Sequence, residues 1–71
     1  MVSLIESKAA ILKTTTLKEL ERVVESFIDA GRYRYNYELD YADNAIIAEM
    51  NLQYGMAELL RLAAKREEAM L

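Results

Sequence analysis

Seventy-one residues make one domain at most, and a chain of that size buries a smaller share of its surface on folding than a typical domain does. The absence of Cys and His excludes disulfides and the usual zinc ligands as reinforcement, which leaves oligomerisation as the way to complete a thin core. Hydrophobic residues at 54% exclude a disordered chain, the charges that interrupt them exclude a bilayer span, and a net charge of -3 disfavours nonspecific nucleic-acid binding.

The first ten residues carry Glu6 and Lys8 and lack the basic start and unbroken apolar run of a secretory signal, so the expected location is cytoplasmic. With no Pro, no repeat and no Gly/Ser linker, residues 1–71 are expected to form a single helical domain. Its first helix is predicted over about residues 3–13. Ser3-Leu4-Ile5-Glu6 fits a capping box, and Ile5, Ala9 and Leu12 step along one helical face. The run Thr14-Thr15-Thr16 then interrupts the helix, and Thr16-Leu17-Lys18-Glu19 repeats the capping pattern. A second helix over about 16–30 follows, with Leu17, Leu20, Val24 and Phe27 as its seam, widened by Val23 and Ile28. Gly31 is placed to take the left-handed conformation that ends helices.

From Arg32 to Leu39 polar and apolar residues alternate, which is the period of an extended segment. The helical period returns at about residue 40 and is predicted to run to about 70. Its main stripe is Ala45, Leu52, Met56, Leu59, Ala63 and Met70, flanked by Ile46 and Leu60. Ile47, Met50 and Tyr54 form a second stripe on the polar side of its first half. Two short helices can cover one stripe, so the second points to another subunit or another partner. Gly55 is a candidate kink between the halves, since Gly costs about 1 kcal/mol relative to Ala inside a helix.

The inventory argues against catalysis. There is no His for general-base chemistry near neutral pH, no Cys nucleophile, and neither glycine lies in a phosphate-cradling loop. Asp40 and Asp43 fall where a helix N-terminus attracts carboxylates, without EF-hand spacing. Glu21 and Glu25, one turn apart, read as a solvated face, because the Glu-x-x-His pattern of di-iron bundles is missing. No enzyme activity, cofactor or metal is therefore expected.

The segment with recognition chemistry is Arg32 to Tyr41, which holds four of the five tyrosines and two arginines. Tyr and Arg are enriched at binding hot spots because each buries a large area while keeping a polar handle. The alternative is that Tyr33, Tyr35 and Tyr37 close the helical core and leave Arg32 and Arg34 in water. The candidate partner-binding residues are Arg32, Tyr33, Arg34, Tyr35, Tyr37, Ile47, Met50 and Tyr54. The expected protein is an all-α homodimeric bundle of three helices with an extended Tyr/Arg segment at 32–39. Its expected role is protein–protein interaction, as a regulator, inhibitor or adaptor.

A second reading makes the segment a strand that pairs with its copy and projects Arg32, Arg34 and Asn36 from one face. That arrangement resembles the ribbon-helix-helix DNA-binding dimers, over Arg32 to Leu71 with Gly55 near the expected inter-helix turn. The resemblance implies a ribbon in the major groove, where Arg suits guanine and Asn suits adenine. Against it, Tyr35 to Leu60 contains no Lys or Arg for phosphate contacts.

Overall fold

Three helices begin at a side chain that accepts an amide of their own first turn. In the computed structural model, which describes residues 3–71, Ser3 accepts from the Glu6 amide at 3.1 Å and opens α1, Leu4–Leu12. Thr16 accepts from Glu19 at 3.1 Å and opens α2, Leu17–Ala30. Asp40 accepts from Asp43 at 2.8 Å and opens α3, Tyr41–Met50. The fourth helix, α4, Tyr54–Met70, starts at Gln53 with no side-chain cap. Among the described residues the regular elements are four helices, with no strand.

The single helix expected over 40–70 is thus two helices, and the break does not fall at Gly55. It falls at Asn51-Leu52-Gln53. The Gln53 amide turns back to the Ala48 carbonyl at 2.8 Å and the Leu52 amide to Glu49 at 3.0 Å, while Leu52 adopts φ 62°. This is a Schellman end, whose reversed hydrogen bonds satisfy the last carbonyls of α3. Gly55 sits in the first turn of α4, where an added Cβ would meet nothing within 4 Å.

The end of α2 repeats the motif one residue later than the sequence suggests. Gly31 stays right-handed at φ -85°, and Arg32 takes the left-handed position at φ 51°. The Tyr33 amide reaches Ile28 at 3.1 Å and the Arg32 amide reaches Asp29 at 3.2 Å. Glycine at 31 answers to space instead: a Cβ there would lie 3.2 Å from the Phe27 carbonyl oxygen and 3.3 Å from the Met56 methyl.

The core gathers Ile11, Leu20, Val24, Phe27, Ile28, Tyr33, Leu59 and Leu60 around alanines 45, 48, 57 and 63. Burying a Leu or Ile of this kind contributes roughly 1.5–3 kcal/mol. Small alanines let α3 and α4 approach closely, and these two form the most extensive helix pair as an antiparallel hairpin. The α2 seam is buried as expected at Leu20, Val24, Phe27 and Ile28, whereas Leu17 is exposed. In α1 the expected face is not the buried one. Ser7, Ile11 and, just beyond the helix, Thr14 turn inward, while Ile5 and Leu12 face solvent. Thr14 is kept satisfied there: its hydroxyl donates to the Ile11 carbonyl at 2.6 Å, and its own carbonyl accepts from Arg66 Nε and Nη2 at 3.0 and 2.6 Å. That contact ties the α1–α2 link to the far end of α4.

Candidate functional site

The segment between α2 and α3 is an irregular loop held by one residue. Asn44, on the first turn and a half of α3, is fully buried, and its Oδ1 accepts from the Asn36 amide at 2.9 Å. Its Nδ2 lies within donating distance of the carbonyls of Asn36, Leu39 and Asp40, at 3.0, 3.3 and 2.9 Å. The Tyr33 hydroxyl donates to the Asn44 carbonyl at 3.2 Å. One helical side chain therefore replaces the strand ladder that the alternation suggested. Both backbone groups of Asn36 are engaged within the chain. A buried amide with every valence used is costly to disturb and so fixes the loop's shape.

That shape distributes the candidate residues unequally. Tyr33 is buried in the core, and burial raises its phenol pKa. Arg32 and Arg34 are exposed, Tyr35 is half-buried, and Tyr37 is exposed with its hydroxyl donating to Glu25 at 3.2 Å. Tyr35 meets Tyr37 edge-on, ring centres 5.0 Å apart, and lies 6.5 Å from Tyr41. Such edge and tilted contacts suit the ring quadrupoles. The three rings line a cavity of about 210 Å³ with Glu21, Glu25, Asp40 and Glu67. Burial first, then the charges of Tyr41, Asp40, Glu67 and Glu25, push the Tyr35 phenol up to about 12. Tyr41 is raised as well, by burial first. These phenols stay neutral at physiological pH and can recognise but not act as bases.

The second group of candidates lies at the other end of the α3–α4 hairpin. Met50 is 76% exposed and Tyr54 62%, while Ile47 is half-buried. Two residues absent from the expected partner-binding set complete the patch: Ile46 is exposed, and Leu52 is 72% exposed at the left-handed position of the turn. Ile46 and Leu52 had been expected to flank and line the main buried stripe. The break at 51–53 changes the helical phase between them and α4, and so leaves them outside. A third apolar surface is the groove of about 760 Å³ between α1, α2 and α4, lined by Leu4, Val23, Phe27, Met56 and Leu59 among others.

The structure thus separates what the sequence listed together. Tyr35 and Tyr37 belong to the acidic cavity; Met50 and Tyr54, with Leu52, belong to the hairpin corner; Tyr33 belongs to the core. Asn44 escaped sequence reasoning, although an Asn in a helix interior directly before two small apolar positions, Ala45 and Ala48, is a cue for a buried polar anchor. Among the described residues no cluster of three acidic side chains could hold a metal ion, and no helix is long and apolar enough to cross a membrane. No protein family, curated protein or solved structure matches the chain, so the reading of its sites rests on their geometry.

Proposed function

We propose that this chain is a protein–protein interaction module, a small regulator, inhibitor or adaptor, that docks through the corner between α3 and α4, with a second copy of itself as the occupant. The observation that carries the reading is Leu52. A left-handed residue at a helix end is ordinarily Gly or Asn, because a Cβ there costs roughly 1–2 kcal/mol. A leucine at that position, 72% exposed and close in sequence to the exposed Ile46, Met50 and Tyr54, is disfavoured both by its backbone and by its solvation. Neither cost helps the isolated monomer fold. Both are offset if the side chain enters an apolar interface.

A second copy supports this best because the chain has no disulfide or His-based metal site to reinforce its small core, and a self-complementary patch is the usual basis of a twofold dimer. Light scattering at micromolar concentration is expected to give about twice the 8.2 kDa chain mass. Met50→Glu is expected to return the mass to that of the monomer without loss of helicity. A monomeric wild type would overturn the self-association. Leu52→Gly provides the sharper test. It should make the monomer more stable and the dimer weaker; a variant that dimerises as well as wild type would remove the corner from consideration.

A further inference from the structure

The cavity on the opposite end of the hairpin presents a chemistry that the corner lacks. Its carboxylates arrive from three parts of the chain: Glu21 and Glu25 from α2, Asp40 from the cap of α3, and Glu67 from α4. No Lys or Arg lines it. Among the described residues the ion pairs are Lys8 with Glu58 and Arg61 with Glu49, so none of these four carboxylates is in an ion pair. Glu21 and Glu25 stand one helical turn apart, a like-charge spacing that Lys18 and Arg22, each three residues before one of them, offset along the helix. The remaining wall is apolar, with Val24, Ile28 and Leu39 beside three tyrosines. Tyr35 and Tyr37, on the loop that Asn44 locks in place, and Tyr41, at the start of α3, line the same space with ring centres 5.0 and 6.5 Å from that of Tyr35.

Each of these features favours positive charge, but they do not favour the same cations. Hard metal ions take converging oxygen ligands, and the acidic residues here do not converge into such a set. Ring faces attract large, weakly hydrated organic cations, most of all when carboxylates nearby supply the long-range attraction. The volume of about 210 Å³ is several times the share of a single water and admits a planar guanidinium or a substituted ammonium. We propose that the cavity walled by Tyr35, Tyr37 and Tyr41 and ringed by Glu21, Glu25, Asp40 and Glu67 is a binding site for an organic cation, a guanidinium or alkylammonium group. The group is carried either on a basic side chain of a polypeptide or by a free polyamine. The raised phenol of Tyr35 owes most to burial, to which the charges of Asp40, Glu67 and Glu25 add.

The site is separate from the corner, so its test does not depend on the oligomeric state. Tyrosine ring resonances of the full chain are followed by NMR during titration with N-acetyl-arginine amide, N-acetyl-lysine amide and spermidine, with N-acetyl-citrulline amide as the neutral isostere of arginine. Saturable shifts confined to Tyr35, Tyr37 and Tyr41 are expected with the cations and none with citrulline. Tighter binding of the amino-acid amides assigns the site to a polypeptide side chain, and tighter binding of spermidine assigns it to a polyamine. Glu25→Gln/Glu67→Gln, conservative in shape, is expected to weaken binding several-fold, and Tyr41→Leu to weaken it while keeping the wall apolar. Glu68→Gln, the same charge change outside the lining, is expected to bind like wild type. Shifts that do not saturate, equal binding of the citrulline amide, or equal loss in Glu68→Gln overturns the proposal.

Discussion

Single side chains carry much of the specification of this fold, and Asn44 is the most demanding of them. Its amide satisfies a loop that has no regular structure, so its loss strands the amide of Asn36 and leaves the Asn36 carbonyl with the Leu39 amide alone. Asn44→Leu keeps the branched shape but removes every side-chain bond, and is expected to cost about 3 kcal/mol, read as a lower urea midpoint. Glu19 offers a contrasting case at the surface. Its carboxylate accepts from the hydroxyls of Thr15 at 2.8 Å and Thr16 at 3.2 Å, which hold its pKa below the ordinary 4.5. A carboxyl lowered on folding contributes stability that is present above its unfolded pKa and lost as the pH falls through the folded value. Thermal melts compared at about pH 6 and about pH 3 should therefore show a larger acid loss in wild type than in Glu19→Gln. Arg66 is anchored by geometry as well as charge, since Nε and Nη2 both reach the Thr14 carbonyl. Lysine cannot reproduce that fork, so Arg66→Lys should destabilise nearly as far as Arg66→Ala, by about 1.5–3 kcal/mol in denaturant unfolding.

At the scale of the helix, what decides each element is how it starts and stops. The starts of α1, α2 and α3 were legible because Ser3, Thr16 and Asp40 announce themselves by residue type, and the α2 seam because four buried positions share one helical face. The ends near residues 13, 30 and 70 were legible too, but the stop of α3 was not. Both Schellman ends place a residue with a side chain, Arg32 and Leu52, where sequence rules look for glycine, so Gly31 was given the left-handed position that Arg32 takes and Gly55 the break that falls at 51–53. Leu52→Gly is expected to stabilise the isolated chain by roughly 1 kcal/mol by relieving the left-handed strain. Gln53→Asp should add about another 1 kcal/mol by supplying the cap that α4 lacks, in thermal unfolding run under monomeric conditions. The face of α1 was misread for a different reason. Apolar residues lie on two sides of this nine-residue helix, at Leu4, Ile5, Ile11 and Leu12, and packing selected the side that also carries Ser7 and Thr14. A hydrophobic pattern cannot rank two such faces when polar residues complete the buried one. The candidate site was legible in composition and not in arrangement. Tyrosines and acids were visible along the chain, but their meeting in one cavity depends on Asn44 and on α4 folding back.

For the whole molecule, the contacts differ sharply in the length of chain they close. The α3–α4 hairpin joins neighbours through a turn of three residues, whereas α1 is held by Ile11, by Lys8 with Glu58, and by Arg66 with Thr14, the last across 52 positions of sequence. Exposed ion pairs add little, so α1 is held by two buried residues, Ser7 and Ile11, by partly buried packing on α2 and α4, and by the arginine fork beyond its end. Local contacts form first and long closures last, and the element with the fewest buried groups opens most often. The hairpin therefore behaves as the kinetic foundation of the protein and α1 as a door hung upon it. Native-state hydrogen exchange should show α1 amides released well before those of α3 and α4, with Arg66→Ala hastening α1 alone. Each opening uncovers the groove wall at Phe27, Met56 and Leu59, so the resting population of the open form sets how much apolar surface the protein shows beyond that already exposed at the α3–α4 corner.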